Sequence, residues 1–326
     1  MPYNNIIGRG DSAALVPEEV ANDMLGVVAT ETSATLRMFR RVPVASGQTR
    51  FPVLSALPVA YWVAGDTGLS QSSEMQWSNK FLNIEELAVY VPIPRNVIED
   101  VSDAGGFDLW DEVRGPVEQE IGRVIDQAVF FGTNAPGTFP TAIATDCAAR
   151  VSTEATSGHF TVTEGATQAN GGIQDDLDAC LSVLEPAGFD ATGIVANRTL
   201  KGKLRRQRST IGERLTGVNP AITEYLDLPI AYPMRGLFPT GAGRQEAFVG
   251  DFSEFVVGVR RDIAFDILDQ AVIQDNSGNI VYNLPQQRMV ALQFTMRVGW
   301  QVSNRIRYDQ TNEADRYPVC ALLATS

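Results

Sequence analysis

From Val290 to Val302 every second residue is apolar: Val290, Leu292, Phe294, Met296, Val298, Trp300 and Val302. Gln293, Thr295, Arg297, Gly299 and Gln301 occupy positions between them. A period of two puts the two sets on opposite faces of one strand. At about 3.3 Å per residue this strand is roughly 40 Å long, where strands usually run to about 5–6 residues. The pattern predicts one buried face and one wet face.

A second long feature lies upstream. The stretch "TRFPVLSALPVAYWVAGDTGLSQSSEMQWSNKFLNIEELAVYVPI" has two extended arms, Thr49–Val63 and Gln76–Ile93, around a tip, Ala64–Met75, rich in Gly, Ser and Asp. Two strands of this length have too few neighbours to stand alone in water. Trp62, Trp77 and Phe81 therefore need cover, either from the hairpin's own domain or from a neighbouring molecule over which the arm is laid. "VPIP" is read as the point where the hairpin leaves its ladder, because Pro92 and Pro94 have no N–H to donate. The chain then turns into a helix at Asn96.

Helical spacing follows. In "FDLWDEVRGPVEQEIGRVIDQAVFFG", Val113, Val117, Ile121, Val124 and Ala128 form a stripe, Asp108 is placed to cap, and Gly115-Pro116 predicts a kink or a restart. A long helix and a long strand together predict an elongated, plate-like subunit. Residues 133–170 read as loop with short strands, "GIQDDLDACLSVLEPAG" as a helix, and "ATGIVANRTLKGKLRRQR" as strand, turn and helix. "AFVGDFSEFVVGVRRDIAFDIL" reads as two or three strands. At the amino terminus, Pro17, Glu18 and Glu19 suit a helix start, with Val20, Met24, Val27 and Val28 as its stripe.

Several function classes lack their residues. His159 is the sole histidine, in the turn-rich "STEATSGHF", and is read as solvated; no nucleophile motif joins it. HExxH, cysteine-cluster zinc spacings, GxxxxGK[ST] and a strand-borne GxGxxG are absent. Asp175, Asp176 and Asp178 are read as decorating an exposed first helical turn rather than binding a metal. No cofactor is implied. Cys147, Cys180 and Cys320 show no CxxC spacing and are read as free thiols. With 44% hydrophobic residues among 326, the chain can bury a sizeable core, yet no run reaches the length of a membrane span. The start lacks the features of a signal peptide, so cytosolic synthesis is the expectation. A net charge of −13 argues against a dedicated nucleic-acid binder. "GRGDS" contains Arg9-Gly10-Asp11, a tripeptide read by integrins, which leaves adhesion as a minor reading; a hydrolase is a further minor reading, against the missing motifs.

The ordered set of features resembles the major capsid proteins of tailed bacteriophages, of the Hong Kong ninety-seven type. "LVPEEVANDML" is similar to that family's amino-terminal arm helix. "TRFPVLSALPVAYWVAGD" through "LAVYVPIPRNVIEDV" is similar to the extended loop and its return. "FDLWDEVRGPVEQEIGRVIDQAVFFGTNAPGTFPTAI" resembles the spine helix, and "GIVANRTLKGKLRRQR" an axial-domain strand and helix. "GDFSEFVVGVRRDIAFDI" and "MVALQFTMRVGWQVSNRIRYD" resemble the closing strands. The resemblance implies an α+β fold divided into an arm (1–45), an extended β-hairpin loop (46–93), a peripheral domain with the spine helix (94–170), an axial domain (171–284) and a closing peripheral strand (285–326).

The function implied is structural. Copies would form hexamers and pentamers that close into an icosahedral shell around double-stranded DNA, assembled in the host bacterial cytoplasm and then part of the virion. An encapsulin-type nanocompartment shell is the alternative within the fold. Implied partners are a separate scaffolding protein, since the arm begins almost at Met1, a portal, a possible decoration protein and DNA held non-specifically; no membrane is involved. Trp62, Asp66, Leu69, Glu74 and Trp77 on the hairpin, with Arg37, Arg40 and Arg41 near the arm, are the expected inter-subunit contacts. Lys201, Lys203, Arg205, Arg206 and Arg208 form either a solvated helix face or a set that pairs with neighbours or faces DNA. Some family members cross-link a loop lysine to an asparagine, aided by a glutamate. Arg288 and Thr295 stand at the last two of those positions, and Lys80 lies on the returning arm rather than at the tip, so no cross-link is expected.

Overall fold

The closing strand is the centre of a four-stranded sheet. In a computed structural model it spans Met289–Val302 and pairs antiparallel with Phe255–Leu268 on one side and with Glu85–Pro94 on the other. The short strand Arg40–Pro43 adds in parallel outside Phe255–Leu268. The structure describes residues 33–63, 65, 68–103, 109–167, 171–207, 222–234, 236–241, 243–275, 277–308 and 310–325. The expected arm helix, the "GRGDS" run and the Asp108 cap lie outside these residues.

The alternation holds on the apolar face, where Leu292, Phe294, Met296 and Trp300 are buried. The other face departs from the expectation of a wet surface. Ala291, Thr295 and Gly299 are also buried, and only Gln293, Arg297 and Gln301 of the interleaved set are partly exposed. Small residues at every fourth position give other backbone and side chains room to lie against the sheet.

"VPIP" is a second correction. The hairpin's ladder joins Gln48–Ala56 to Gln76–Asn83 and ends before Ile84. Glu85–Pro94 belongs to the four-stranded sheet, and Pro92 and Pro94 sit in register with Ala291 and Met289. That strand is an edge. Two prolines of the same parity lack their N–H on the same side, and an edge strand needs donors on one side alone. The helix Arg95–Asp103 follows at once.

The long helix spans Leu109–Asp126 and passes through Pro116 without a restart. It continues as a π-helical turn, Gln127–Phe131, closed by Gly132 in the left-handed region at φ 69°. A short helix the sequence did not announce, Ile143–Ala149, has no side-chain cap. Residues 133–170 otherwise carry the strand Thr161–Thr163.

A six-stranded sheet forms the second layer, in the order Thr161–Thr163, Val319–Leu323, Gln245–Gly250, Gly193–Ala196, Leu228–Ala231 and Glu224–Tyr225. The helices Ile173–Leu184 and Arg198–Arg206 pack beside it. Asp176 is buried, not exposed as expected, and accepts hydrogen bonds from the backbone N–H of Gly165 (3.2 Å) and Ala166 (3.1 Å). His159 is half-buried, with Nδ1 3.2 Å from the Arg150 carbonyl, which replaces the expected solvated ring. All three cysteines are buried free thiols. Cys147 donates to the Val319 carbonyl at 3.3 Å, and burial first, then the neighbouring Cys320 and Asp146, pushes its thiol up.

One apolar core joins both sheets. A chain of rings crosses between them: Trp300 to Phe255 (6.4 Å between centroids), Phe255 to Phe39 (4.8 Å), Phe39 to Phe130 (6.1 Å) and Phe130 to Phe248 (5.3 Å). Offset and tilted rings at these separations attract beyond their buried area. At the start of the Phe255–Leu268 strand, the buried Glu254 carboxylate accepts from Arg305 Nε at 2.5 Å and from the Ser303 hydroxyl.

Candidate functional site

The hairpin rises from a floor made of two glycines. Gly258 and Gly299 are direct cross-strand partners in the four-stranded sheet. A Cβ added to Gly299 would stand 2.0 Å from the Asn83 carbonyl oxygen, and one added to Gly258 would stand 2.3 Å from Leu82 Cδ2. Glycine inside a strand weakens it but admits another backbone at close range. Leu82 is thereby fully buried at the base of an otherwise exposed element.

Polar bonds fasten the same root. Gln301 Nε2 donates to the Phe81 carbonyl at 2.8 Å, and Ile84 N–H donates to the Gly47 carbonyl at 2.9 Å. Asn83 Nδ2 donates to the Thr138 carbonyl (3.0 Å), while the Thr138 hydroxyl donates to Glu85 (2.6 Å). Lys80 Nζ lies 2.7 Å from Glu313 Oε1. Burial opposes ionisation of Glu313, but the Lys80 hydrogen bond and the charges of Lys80, Arg150 and Arg316 outweigh it and hold the carboxyl below its usual value.

At the other end of the hairpin, among the described residues, the Val59 N–H donates to the Ser73 hydroxyl at 2.6 Å. Trp62 and Leu69 are 102% and 91% exposed, and Val59, Tyr61, Val63, Met75 and Trp77 are exposed too. Glu74 is exposed and accepts from Gln76 Nε2 at 2.8 Å. Asp66 lies outside the described residues.

Arg37 and Arg40 are exposed where the chain enters the four-stranded sheet, and Arg41 Nε donates to the Leu36 carbonyl at 3.0 Å. The basic helix is divided. Lys203 is turned inward, with its Nζ 2.7 Å from Glu246 Oε2 and 2.5 Å from Glu164 Oε1. Burial works against its charge, but the two carboxylates raise the ammonium's pKa above the usual value. Lys201 Nζ sits 3.9 Å from the centre of the Tyr232 ring. Arg205 and Arg206 are exposed, and Arg208 lies outside the described residues.

The sequence reading found the exposed end of the hairpin and missed its root. Leu82, Asn83, Gly258 and Gly299 were not singled out. The available signal was Gly299, a residue of poor strand propensity in the middle of an otherwise perfect strand. Among the described residues no group of His, Cys, Asp and Glu side chains could hold a metal ion, and no helix is long and apolar enough to cross a membrane.

The sequence pattern of the phage capsid family matches residues 12–305. No curated protein sequence matches the chain. A solved chain from Microbacterium phage Oxtober96 is 29% identical, with 98% of this chain and 100% of that one covered at a TM-score of 0.75. A chain from Mycobacterium phage Bobi is 26% identical, covers 99% and 100%, and has the same TM-score of 0.75. The capsid of a native GTA particle shares the fold at 17% identity and a TM-score of 0.62, over 92% of this chain and 91% of that one. The mixed helix-and-sheet architecture is thus that of the Hong Kong ninety-seven type. With the family pattern running along most of its length, this chain belongs to the phage capsid family, and its role is structural, as a subunit of a multi-subunit virion shell.

Proposed function

We propose that copies of this chain form hexamers and pentamers that close into an icosahedral shell around double-stranded DNA, and that the hairpin tip lies over a neighbouring subunit. The observation that carries the second part is the contrast along one hairpin: Leu82 is buried in its own chain, whereas Trp62 and Leu69 stand in solvent. Burying such side chains against a neighbour contributes about 25 cal/mol per Å² of apolar surface, repeated at every interface of a closed shell. Arg37 and Arg40, exposed on the arm side, are further candidate contacts. Arg205 and Arg206, exposed on the basic helix, are candidates to pair with a neighbour's carboxylates or to face packaged DNA. Assembly takes place in the host cytoplasm with a scaffolding protein and a portal.

Electron microscopy of the expressed chain tests the shell, with closed particles expected; packaged genomic DNA distinguishes a virion shell from an encapsulin-type compartment. Replacing Ala64–Met75 by a tight turn tests the tip. The variant is expected to stay soluble and fail to form shells, and normal shells from it would refute the intermolecular role.

A further inference from the structure

We infer that residues 33–39 are a latch that fixes the root of the amino-terminal arm at the joint between the two sheets, with the Asp126 carboxylate as its catch. Ser33 is where the described chain begins. There the short helix Ala34–Met38 starts with Ser33 as its cap. Asp126, at the end of the long helix, accepts three hydrogen bonds from this one point: Ser33 Oγ at 2.7 Å, Ala34 N–H at 2.9 Å and Thr35 N–H at 3.0 Å. Asp126 is 1% exposed, and no described cation pairs with it. Its oxygens are met by a hydroxyl and by the free N–H groups of a helix start, against burial, which pushes the carboxyl's pKa up.

This arrangement makes the catch all-or-none. A buried carboxylate stripped of its donors is strongly unfavourable. The donors likewise lose their only described acceptor if the short helix shifts. Two further contacts place the latch at the joint. Phe39 is the middle ring of the chain that links Trp300 and Phe255 of one sheet to Phe248 of the other. Met38 Cε fills the space where Gly193, in the six-stranded sheet, would carry a Cβ, at 2.1 Å. Seven consecutive residues thus touch the long helix and both sheets. Any sliding of the long helix end against the sheets is transmitted to the arm root, and the reverse holds by linkage.

The role in assembly rests on the capsid reading; the latch itself does not. The test uses the full chain with Asp126→Asn and Ser33→Ala. Amide hydrogen exchange at residues 34–36 is expected to quicken at least tenfold in each variant, while protection at Val319–Leu323 is unchanged. Electron microscopy is then expected to show loss of closed shells or irregular ones in Asp126→Asn. Unchanged exchange at 34–36 in Asp126→Asn and Ser33→Ala overturns the catch. Exchange that quickens equally at Val319–Leu323 overturns it too, since that is general loosening. A latch that opens while shells remain normal overturns its role in assembly. If the unaltered chain forms no shells by itself, its proposed self-assembly fails, and the exchange result alone decides the latch.

Discussion

The root and the tip of the hairpin are built under opposite rules. At the root, Leu82 is buried over Gly258 and Gly299, and Asn83, Gln301 and Lys80 all have partners in the same chain. At the tip, Trp62 and Leu69, at least as apolar, stand in solvent. An isolated two-stranded hairpin is marginal in water, so the root must supply the stability that keeps the tip extended. The comparison teaches that one element can be anchored in its own fold at one end and stand open to solvent at the other.

The strongest way to break the comparison is to fill the floor. Gly299→Ala places a Cβ 2.0 Å from the Asn83 carbonyl oxygen, and the obstacle is backbone, which cannot rotate away. Overpacking of this kind costs about 1–3 kcal/mol, with the upper end expected here. Urea unfolding of the subunit measures it, and a cost below about 0.5 kcal/mol, the range of an ordinary surface change, would show that the floor does not hold the root.

A smaller effect separates the hairpin from the body beneath. Glu118, 2% exposed in the long helix, has its carboxyl raised from 4.5 to about 7, by burial first and against the nearby Arg114. Its folded pKa exceeds its unfolded one, so the folded state binds the proton more tightly. The stability this confers is complete below about pH 4.5 and is lost as pH rises through about 7. The loss is on the order of 2 kcal/mol. Glu118→Gln is expected to flatten this part of the stability profile between pH 5 and 8, read by denaturant unfolding, with hairpin protection following the body. A variant whose profile matches that of the unaltered chain would place the titration elsewhere.

Lys80→Ala removes the Lys80–Glu313 pair, whose side chains are 19% and 50% exposed. A pair this open to water contributes about 0–1 kcal/mol. The expected signature is faster exchange at the hairpin root and a small change in overall stability, itself reduced by salt. At the tip, Trp62→Ala with Leu69→Ala is expected to change subunit stability by less than about 0.5 kcal/mol while abolishing assembly. A large loss of subunit stability would mean that the tip serves its own chain after all.

The smallest effect is an absence. Mature particles boiled in detergent and reductant are expected to run as a single band near 35.4 kDa. Lys80 is paired with Glu313, Thr295 is buried between Ala264 and Ala88, and Arg288 supplies neither amide nor carboxylate. A ladder of multimers would refute this reading of the closing strand.

Much of the fold was legible because its signals are local. The Met289–Val302 strand, the long helix, the Ile173–Leu184 helix and the strand-turn-helix ending at Arg206 each carry their own period. The tip was legible for the same reason, since Gly, Ser and Asp between two extended arms announce a turn wherever it ends up. The helix Ile143–Ala149 was missed because it is short and has no side-chain cap. "VPIP" was misplaced because proline reports that a donor is missing and not which strand lies on the donor's side.

By itself, then, the sequence determined the elements that carry their own period, the long strand and the long helix above all, and the polar turn between two extended stretches, because periodicity, capping and turn chemistry act within a few residues. Tertiary structure alone decided which residues those segments press together. Asp126 meets Ser33 across 93 positions, Gln301 meets Phe81 across 220, and Lys203 meets Glu246 across 43. Burial turned Asp176 and Lys203 inward and gave Gly258 and Gly299 their use as a floor. No local pattern encodes such meetings, since a glycine, an aspartate or a lysine looks the same in the sequence whether water or another part of the chain lies opposite it.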